Sequence, residues 1–106
     1  MTPQAISVKV EQDRAVVALR GEHEAYTAHK LARHLSGLLT EGVGVRVDLR
    51  HATFIDSTVV GVLLAAHRRA VESQLPFTLQ TGSETGWPVL RLLEVTGLDQ
   101  QLDVGE

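Results

Sequence analysis

Asp56, Ser57 and Thr58 form a short polar step between two apolar segments. Residues 43–49 before the step are β-rich, and residues 59–66 after it are almost continuously apolar over a helical length. A helix start has unpaired backbone N–H groups and the positive end of the helix dipole. It therefore suits a capping side chain or a phosphate group. If Asp56 is the N-cap, Ser57 and Thr58 are either solvated first-turn hydroxyls or a phosphorylation site.

Small residues follow the step along one predicted helix face. Ser57, Gly61 and Ala65 are spaced four apart, and Arg68 and Arg69 continue the same face. Glycine in a helix costs about 1 kcal/mol relative to alanine, so an offsetting advantage is expected at Gly61. The stripe either admits the backbone of another protein or packs closely on the protein's own sheet. Both interpretations stay open at this point.

A second charged segment, Glu22-His23-Glu24, follows a predicted strand. It is interpreted as a partner-binding edge beside the Ser57 step, or as a solvated loop. A small enzyme with Ser57 as nucleophile would need a histidine base and an oxyanion hole. No Gly-x-Ser-x-Gly elbow is present, so we expect no catalysis.

We also expect no metal and no cofactor. The chain has no cysteine, and its five histidines lack metal-ligand spacing. They are His23, His29, His34, His51 and His67.

Composition predicts one domain over residues 1–106. The chain is 43% hydrophobic, has a formal net charge of −3 and carries no basic block. Nucleic acid is therefore not an expected partner, because phosphate tracking needs clustered Lys and Arg. The N-terminus has no secretory pattern, and the 59–66 run is far shorter than the roughly 20 apolar residues of a membrane span. We expect a cytoplasmic protein that does not insert into a membrane.

The pattern of the whole chain predicts an α/β fold of order ββαβαβα. It consists of a mixed β-sheet that begins with an N-terminal β-hairpin and has helices packed on it. Predicted strands cover residues 6–10, 15–19, 45–49 and 77–81. Predicted helices cover residues 28–39 with Thr27 as the cap, 57–73, and 88–95 with Gly97 at the C′ position. Trp87 is expected to be a partly buried anchor. The Ser57 step then lies at the carboxyl end of a strand, where ligands and partners bind in open α/β sheets.

These motifs together resemble the STAS domain family, specifically its anti-sigma factor antagonists. The resemblance runs in order through nearly the whole chain, so the predicted fold is STAS-like. The matching segments are Asp48-Leu49, residues 54–58, Gly61 to Leu64, Gly21-Glu22 with Thr27, Ala28 and Leu31, and Leu93 to Leu98.

The resemblance implies a switch without catalysis. In that family, an anti-sigma factor that is also a kinase phosphorylates the serine after the aspartate. The unphosphorylated antagonist binds this partner, and a metal-dependent phosphatase restores the serine. By position the phosphorylated residue is Ser57, with Thr58 as the lesser candidate. The partner surface is expected to comprise Glu22, His23, Glu24, Asp56, Ser57, Thr58, Gly61 and Ala65.

Two segments depart from the family pattern. Val59 replaces a glycine, and Gly21-Glu22-His23-Glu24 stands where the family has Gly-Glu-Leu-Asp. Both are expected to face the partner. They leave open a second function, in which the chain is a constitutive assembly subunit of a stress-signalling complex or a lipid transporter, with a degenerate phosphosite.

Overall fold

A computed structural model describes residues 5–101 and 103–105. The strands are β1 (Ala5–Val10), β2 (Arg14–His23), β3 (Gly44–Ile55), β4 (Phe77–Gln80) and β5 (Asp103–Gly105). The helices are α1 (Ala25–Thr40), α2 (Ser57–Glu72), α3 (Trp87–Val95) and α4 (Leu98–Gln101). The predicted order ββαβαβα is confirmed, and α4 and β5 are additional elements that the sequence did not reveal.

Within the described residues the strands form one five-stranded sheet in the order β1-β2-β3-β4-β5. The strand β1 pairs antiparallel with β2, as predicted for an N-terminal hairpin. The pairs β2–β3, β3–β4 and β4–β5 are all parallel, which confirms a mixed sheet. Each parallel connection contains a helix, as parallel strands require. None of the helices in the described part of the chain is long and apolar enough to cross a membrane.

Strand β2 shows how the sheet meets the helices. Its side chains alternate strictly, with residues 15, 17, 19, 21 and 23 buried and the residues between them at least partly exposed. One face of the strand therefore belongs to the core. The buried apolar side chains of α1, α2 and α3 join the same cluster, including Leu31, Leu35, Val59, Leu63, Val89 and Leu93.

Strand β3 continues six residues beyond its predicted end at Leu49. Its core-facing residues are two apart up to Leu49, but Ala52 and Ile55 then follow at intervals of three. The register explains this spacing, because β3 carries one extra residue opposite Leu19 and another just before Phe54. These bulges break the alternation by which strands are recognised. The prediction that this strand ends at Leu49 was therefore wrong, and Phe54 and Ile55 belong to β3.

The helix starts agree with prediction except at α1. The N-cap of α1 is Glu24, so the predicted cap Thr27 is instead the third helical residue. The Thr27 side chain is buried, and its oxygen accepts the Glu24 N–H at 3.2 Å. It supports the cap from inside the first turn. The starts of α2 at Ser57 and α3 near Pro88 are confirmed.

The start of α3 is held against the end of β3. The Gly86 N–H donates to the Ala52 carbonyl at 2.8 Å, and a Cβ added to Gly86 would overlap the Thr53 carbonyl oxygen. Only glycine allows this close approach. The next residue, Trp87, is 72% exposed, so the expectation that it is partly buried was wrong.

Candidate functional site

The two polar segments singled out by the sequence lie side by side. The last pair in the β2–β3 register is His23 with Ile55, so the strands end together. The Asp56 N–H then donates to the His23 carbonyl at 3.3 Å. This bond joins the end of β2 and the α1 cap, which carry Glu22 and Glu24, to the N-cap of α2. The segment from Glu22 to Glu24 therefore lies beside the Ser57 step, as predicted, at the carboxyl ends of β2 and β3.

Asp56 caps α2 without help from the hydroxyls beside it. Its backbone is extended and its Oδ1 accepts the Val59 N–H at 3.1 Å, which is the N3 amide. Ser57 and Thr58 are the first two helical residues, and both are exposed. Asp56 therefore supplies the side-chain cap of α2. Within the described part of the chain, the exposed Ser57 hydroxyl is left free at the positive end of the helix dipole.

Val59, which replaces the glycine of the resembling family, does not face outward. Its side chain is 0% exposed and belongs to the hydrophobic core. The expectation that this position faces a partner was wrong. The third residue of α2 points towards the sheet, because the buried stripe of the helix continues from it through Leu63 and Ala66. The valine therefore does not alter the exposed surface around Ser57.

His23 was also expected to face a partner, and it is instead 1% exposed. Its ring Nε2 lies 2.9 Å from the Arg20 carbonyl oxygen, and its Nδ1 lies 3.1 Å from Thr27 Oγ1. Burial lowers the pKa of the imidazole below its usual value, and the carbonyls of Arg20 and Ala5 partly oppose this effect. His23 continues the buried alternation of Ala15, Val17 and Leu19, and that parity is the signal that sequence reasoning missed. The neighbouring Glu22 and Glu24 are exposed, as predicted.

The small-residue stripe opens onto a groove between α1 and α2. Gly61 and Ala65 are exposed, and a Cβ on Gly61 would meet no heavy atom of residues 5–101 or 103–105 within 4 Å. Close packing of this stripe on the protein's own sheet is therefore excluded. The groove has a volume of about 400 Å³. Its lining comprises Ala32, Leu35, Ser36 and Leu39 from α1, and Thr58, Gly61, Val62, Ala65, Ala66 and Arg69 from α2.

Arg69 joins the two helices at the far end of the groove. Its guanidinium donates to Ser36 Oγ at 2.7 Å and also to Thr40 Oγ1. Thr58 lines the opposite end, directly beside Ser57. The groove is thus a mostly apolar surface with polar ends, and one end adjoins the free hydroxyl. The contribution of α1 was not predicted, because it depends on how the two helices pack.

Comparison with known proteins agrees with this geometry. A protein-family model described as "Mlab, STAS domain" matches residues 6–104. The anti-sigma-B factor antagonist of Listeria monocytogenes is 30% identical over 103 residues, covering 93% of this chain and 88% of that protein. The match extends over nearly the whole of both chains.

Solved structures share the fold at lower sequence identity. An anti-sigma factor antagonist from Mycobacterium paratuberculosis superposes with a TM-score of 0.83 at 19% identity, over 97% of this chain and 86% of that one. The Bacillus cell fate determinant SpoIIAA in its phosphorylated form gives a TM-score of 0.74 at 19% identity, over 96% and 92% of the two chains. At this identity the likeness concerns the fold alone. Together with the family match and the Listeria relative, it shows that this chain belongs to the STAS domain family and is of the anti-sigma factor antagonist type.

Proposed function

We propose that this chain is a phosphorylation-controlled anti-sigma factor antagonist without catalytic activity. Unphosphorylated, it binds an anti-sigma factor that is also a kinase. Phosphorylation of Ser57 releases that partner, and a metal-dependent phosphatase reverses the modification. The observation that carries the proposal is the exposed Ser57 hydroxyl at the first position of α2, where Asp56 has already supplied the cap.

The docking surface extends from this hydroxyl in two directions. Glu22 and Glu24 lie on one side, joined to the α2 cap through the Asp56–His23 backbone bond. On the other side, Thr58 leads into the groove that contains Gly61 and Ala65. The exposed glycine and alanine allow a partner backbone to approach α2 closely. His23 contributes no side chain to this surface, because it is buried.

A phosphate on Ser57 would act on docking more than on folding. It adds a charge of about −1.5 to −2 at a helix start, where the dipole and the free N–H groups tolerate it. The same charge would stand beside the apolar groove, with Asp56 next to it. Covering the groove with a partner would then remove water from a dianion, which is strongly unfavourable. We therefore expect an intact domain that no longer binds the partner.

The similar proteins support this proposal. The Listeria relative is named an anti-sigma-B factor antagonist, so its name specifies an anti-sigma factor as the protein it opposes. SpoIIAA, which shares this fold, exists in a phosphorylated form. Neither fact assigns a phosphate to Ser57 of this chain. The exposed hydroxyl and its free position at the helix start make that assignment the one to test.

A second candidate function is constitutive assembly as a subunit of a stress-signalling complex or a lipid transporter. It is favoured by a groove whose lining, among the described residues, does not include Ser57. In that case a partner would stay bound whatever the state of Ser57. The two functions therefore differ in one measurable property.

Phosphate mapping together with binding measurements separates them. The protein is incubated with candidate anti-sigma factor kinases and ATP, and the modified residue is identified by mass spectrometry. Binding is measured for wild type, Ser57→Ala, Ser57→Asp and the matched control Thr58→Ala. We expect phosphate on Ser57, binding by Ser57→Ala, and loss of binding by Ser57→Asp while its circular dichroism stays native. Binding that is equal in all variants would support constitutive assembly, and an unfolded Ser57→Asp would contradict the argument above.

A further inference from the structure

His23 is a buried titratable side chain at the point where two helix starts meet. It ends β2 with 1% exposure, and the next residue, Glu24, is the N-cap of α1. Its own carbonyl accepts the N–H of Asp56, the N-cap of α2, at 3.3 Å. One residue therefore contacts both caps at the edge that carries Ser57. The resemblance to the family places leucine at this position, so the imidazole is a feature of this chain.

The hydrogen bonds of the ring identify its proton positions. A carbonyl oxygen only accepts, so the Nε2 that lies 2.9 Å from the Arg20 carbonyl carries a proton. In the neutral ring Nδ1 is then an acceptor, and Thr27 Oγ1 lies 3.1 Å from it. The Thr27 hydroxyl lies equally close, at 3.1 Å, to the Glu24 carbonyl. This hydroxyl has one proton, so it donates either to Nδ1 of the His23 ring or to the Glu24 carbonyl.

The charge on His23 decides between these two arrangements. When the ring is neutral, the Thr27 hydroxyl donates to Nδ1. When the ring is protonated, Nδ1 becomes a donor to Thr27 Oγ1, and the hydroxyl proton turns to the Glu24 carbonyl. That carbonyl already accepts the first-turn amides of Thr27 and Ala28, at 3.0 and 2.9 Å. Protonation of His23 is thereby transmitted to the cap of α1.

The surroundings of the ring favour the neutral state. Burial lowers its pKa, as described above. A small cavity of about 200 Å³ beside the ring is lined by Lys30 and His34 from α1, with Thr27, Ala5 and Ile6. None of these described lining residues carries a carboxylate. The charged neighbours in the chain, Glu22 and Glu24, are exposed. Across the strand ends, the carboxylate of Asp56 accepts the Val59 amide of its own helix.

We infer that His23 is a positioning residue whose neutral imidazole supports the α1 cap through Thr27. Its protonation would disturb that cap and, through the backbone bond from Asp56 to the His23 carbonyl, make the edge around Ser57 pH-sensitive. Because the folded protein disfavours the charged ring, the unfolded chain binds more protons below the ordinary histidine pKa. The stabilising contribution is complete above that pKa and is lost as the pH falls towards the lower value of the folded state. The inference concerns the isolated chain and does not rest on phosphorylation or on any partner.

Nuclear magnetic resonance of the full chain between pH 8 and pH 5 tests this directly. We expect the His23 ring to show the Nε2–H tautomer at neutral pH and a titration midpoint below the ordinary histidine value. The backbone amides of Asp56 and Ser57 should shift with the same midpoint. An Nδ1–H tautomer, a midpoint at or above the ordinary histidine value, or Asp56 and Ser57 amide resonances that do not change with the His23 titration would overturn the inference.

Variants separate this role from mere filling of space. His23→Gln retains a donor for the Arg20 carbonyl but cannot titrate in this range, and His23→Leu restores the residue of the resembling family. His34→Gln is the matched control, because this exposed histidine lines the same cavity. We expect both His23 variants to lose the pH-dependent shift of the Asp56 and Ser57 backbone amide resonances between pH 8 and pH 5, and the control to keep it. If His23→Leu does not fold, His23→Gln alone provides the test. A pH dependence that persists in His23→Gln would refute the inference.

Discussion

Replacing Gly61 with alanine tests the groove through two effects of opposite sign. Gly61 lies in the interior of α2, is exposed, and has no heavy atom within 4 Å of the position that a Cβ would occupy. Alanine should therefore be accommodated without a clash. The full difference in helix propensity, about 1 kcal/mol, should appear as added stability. For a domain of this size that corresponds to a rise in Tm of roughly 4–8 °C.

The same methyl group should weaken docking. It would project into the groove beside Ala65, at the place where we propose that a partner backbone approaches α2. If Gly61→Ala raises the free energy of unfolding and lowers the affinity for the partner, the glycine is retained for binding and not for stability. A glycine retained only for packing inside the domain would show the opposite change in stability.

Gly37 provides the matched control. It lies in α1, is exposed, and likewise has no atom within 4 Å of a Cβ, but it does not line the groove. Gly37→Ala should also stabilise the domain, and it should leave partner binding unchanged. The pair thus separates helix propensity from contact with a partner.

Urea unfolding followed by far-ultraviolet circular dichroism measures the stability of both variants. Circular dichroism is preferable to fluorescence, because the single tryptophan, Trp87, is largely exposed in the folded state. An unchanged m value would show that the transition still exposes the same surface. If Gly61→Ala is destabilised while Gly37→Ala is stabilised, Gly61 makes a close packing contact and the argument for an open groove is wrong. Equal binding by wild type and Gly61→Ala would remove Gly61 from the docking surface.

Three further changes test the architecture around the site. Asp56→Ala should lower the free energy of unfolding by about 1 kcal/mol, because the α2 cap is lost. Asparagine also caps helices, so an equal loss of stability in Asp56→Asn would contradict the capping role. Gly86→Ala should destabilise the domain by about 1–3 kcal/mol, because the added methyl overlaps the Thr53 carbonyl. Urea unfolding measures the stability of the Asp56 and Gly86 variants. An unchanged free energy of unfolding in Gly86→Ala would disprove the close approach. The bidentate contact of Arg50 holds the pKa of Asp48 below its ordinary value, so the stability that this pair contributes is complete above that value and is lost as the pH falls below it. Arg50→Gln should therefore move the acid-unfolding midpoint, followed by circular dichroism, to higher pH, and an unchanged midpoint would refute the coupling.

Local signals predicted the elements that frame the site. The helix α2 was placed at Ser57 because an aspartate precedes a long apolar run, and the structure has this cap. The hairpin followed from alternation in the first two strands, and the mixed sheet followed from the helices that alternate with the later strands. Each of these features depends on hydrogen bonds and side-chain spacing within a few residues, so it is visible in the chain itself.

Orientation at the site could not be predicted in the same way. Val59 and His23 were both expected on the surface, and both are buried. For His23 the parity of β2 would have given the correct answer, but the prediction ended that strand too early. Strand β3 was also cut short, because its two bulges replace the two-residue spacing with steps of three. A periodic pattern is informative only while the pairing of the strand is regular.

The sequence by itself determined the order of the first seven elements, the cap at Asp56 and the position of the free hydroxyl at Ser57. These features depend on contacts between near neighbours in the chain. The tertiary structure alone decided which residues surround that hydroxyl. The groove needs Leu35 of α1 beside Gly61 of α2, and the shared anchor needs His23 beside Asp56. Such contacts arise only when the hydrophobic core brings distant segments together, since burial of apolar surface is non-directional and leaves no local pattern in the chain.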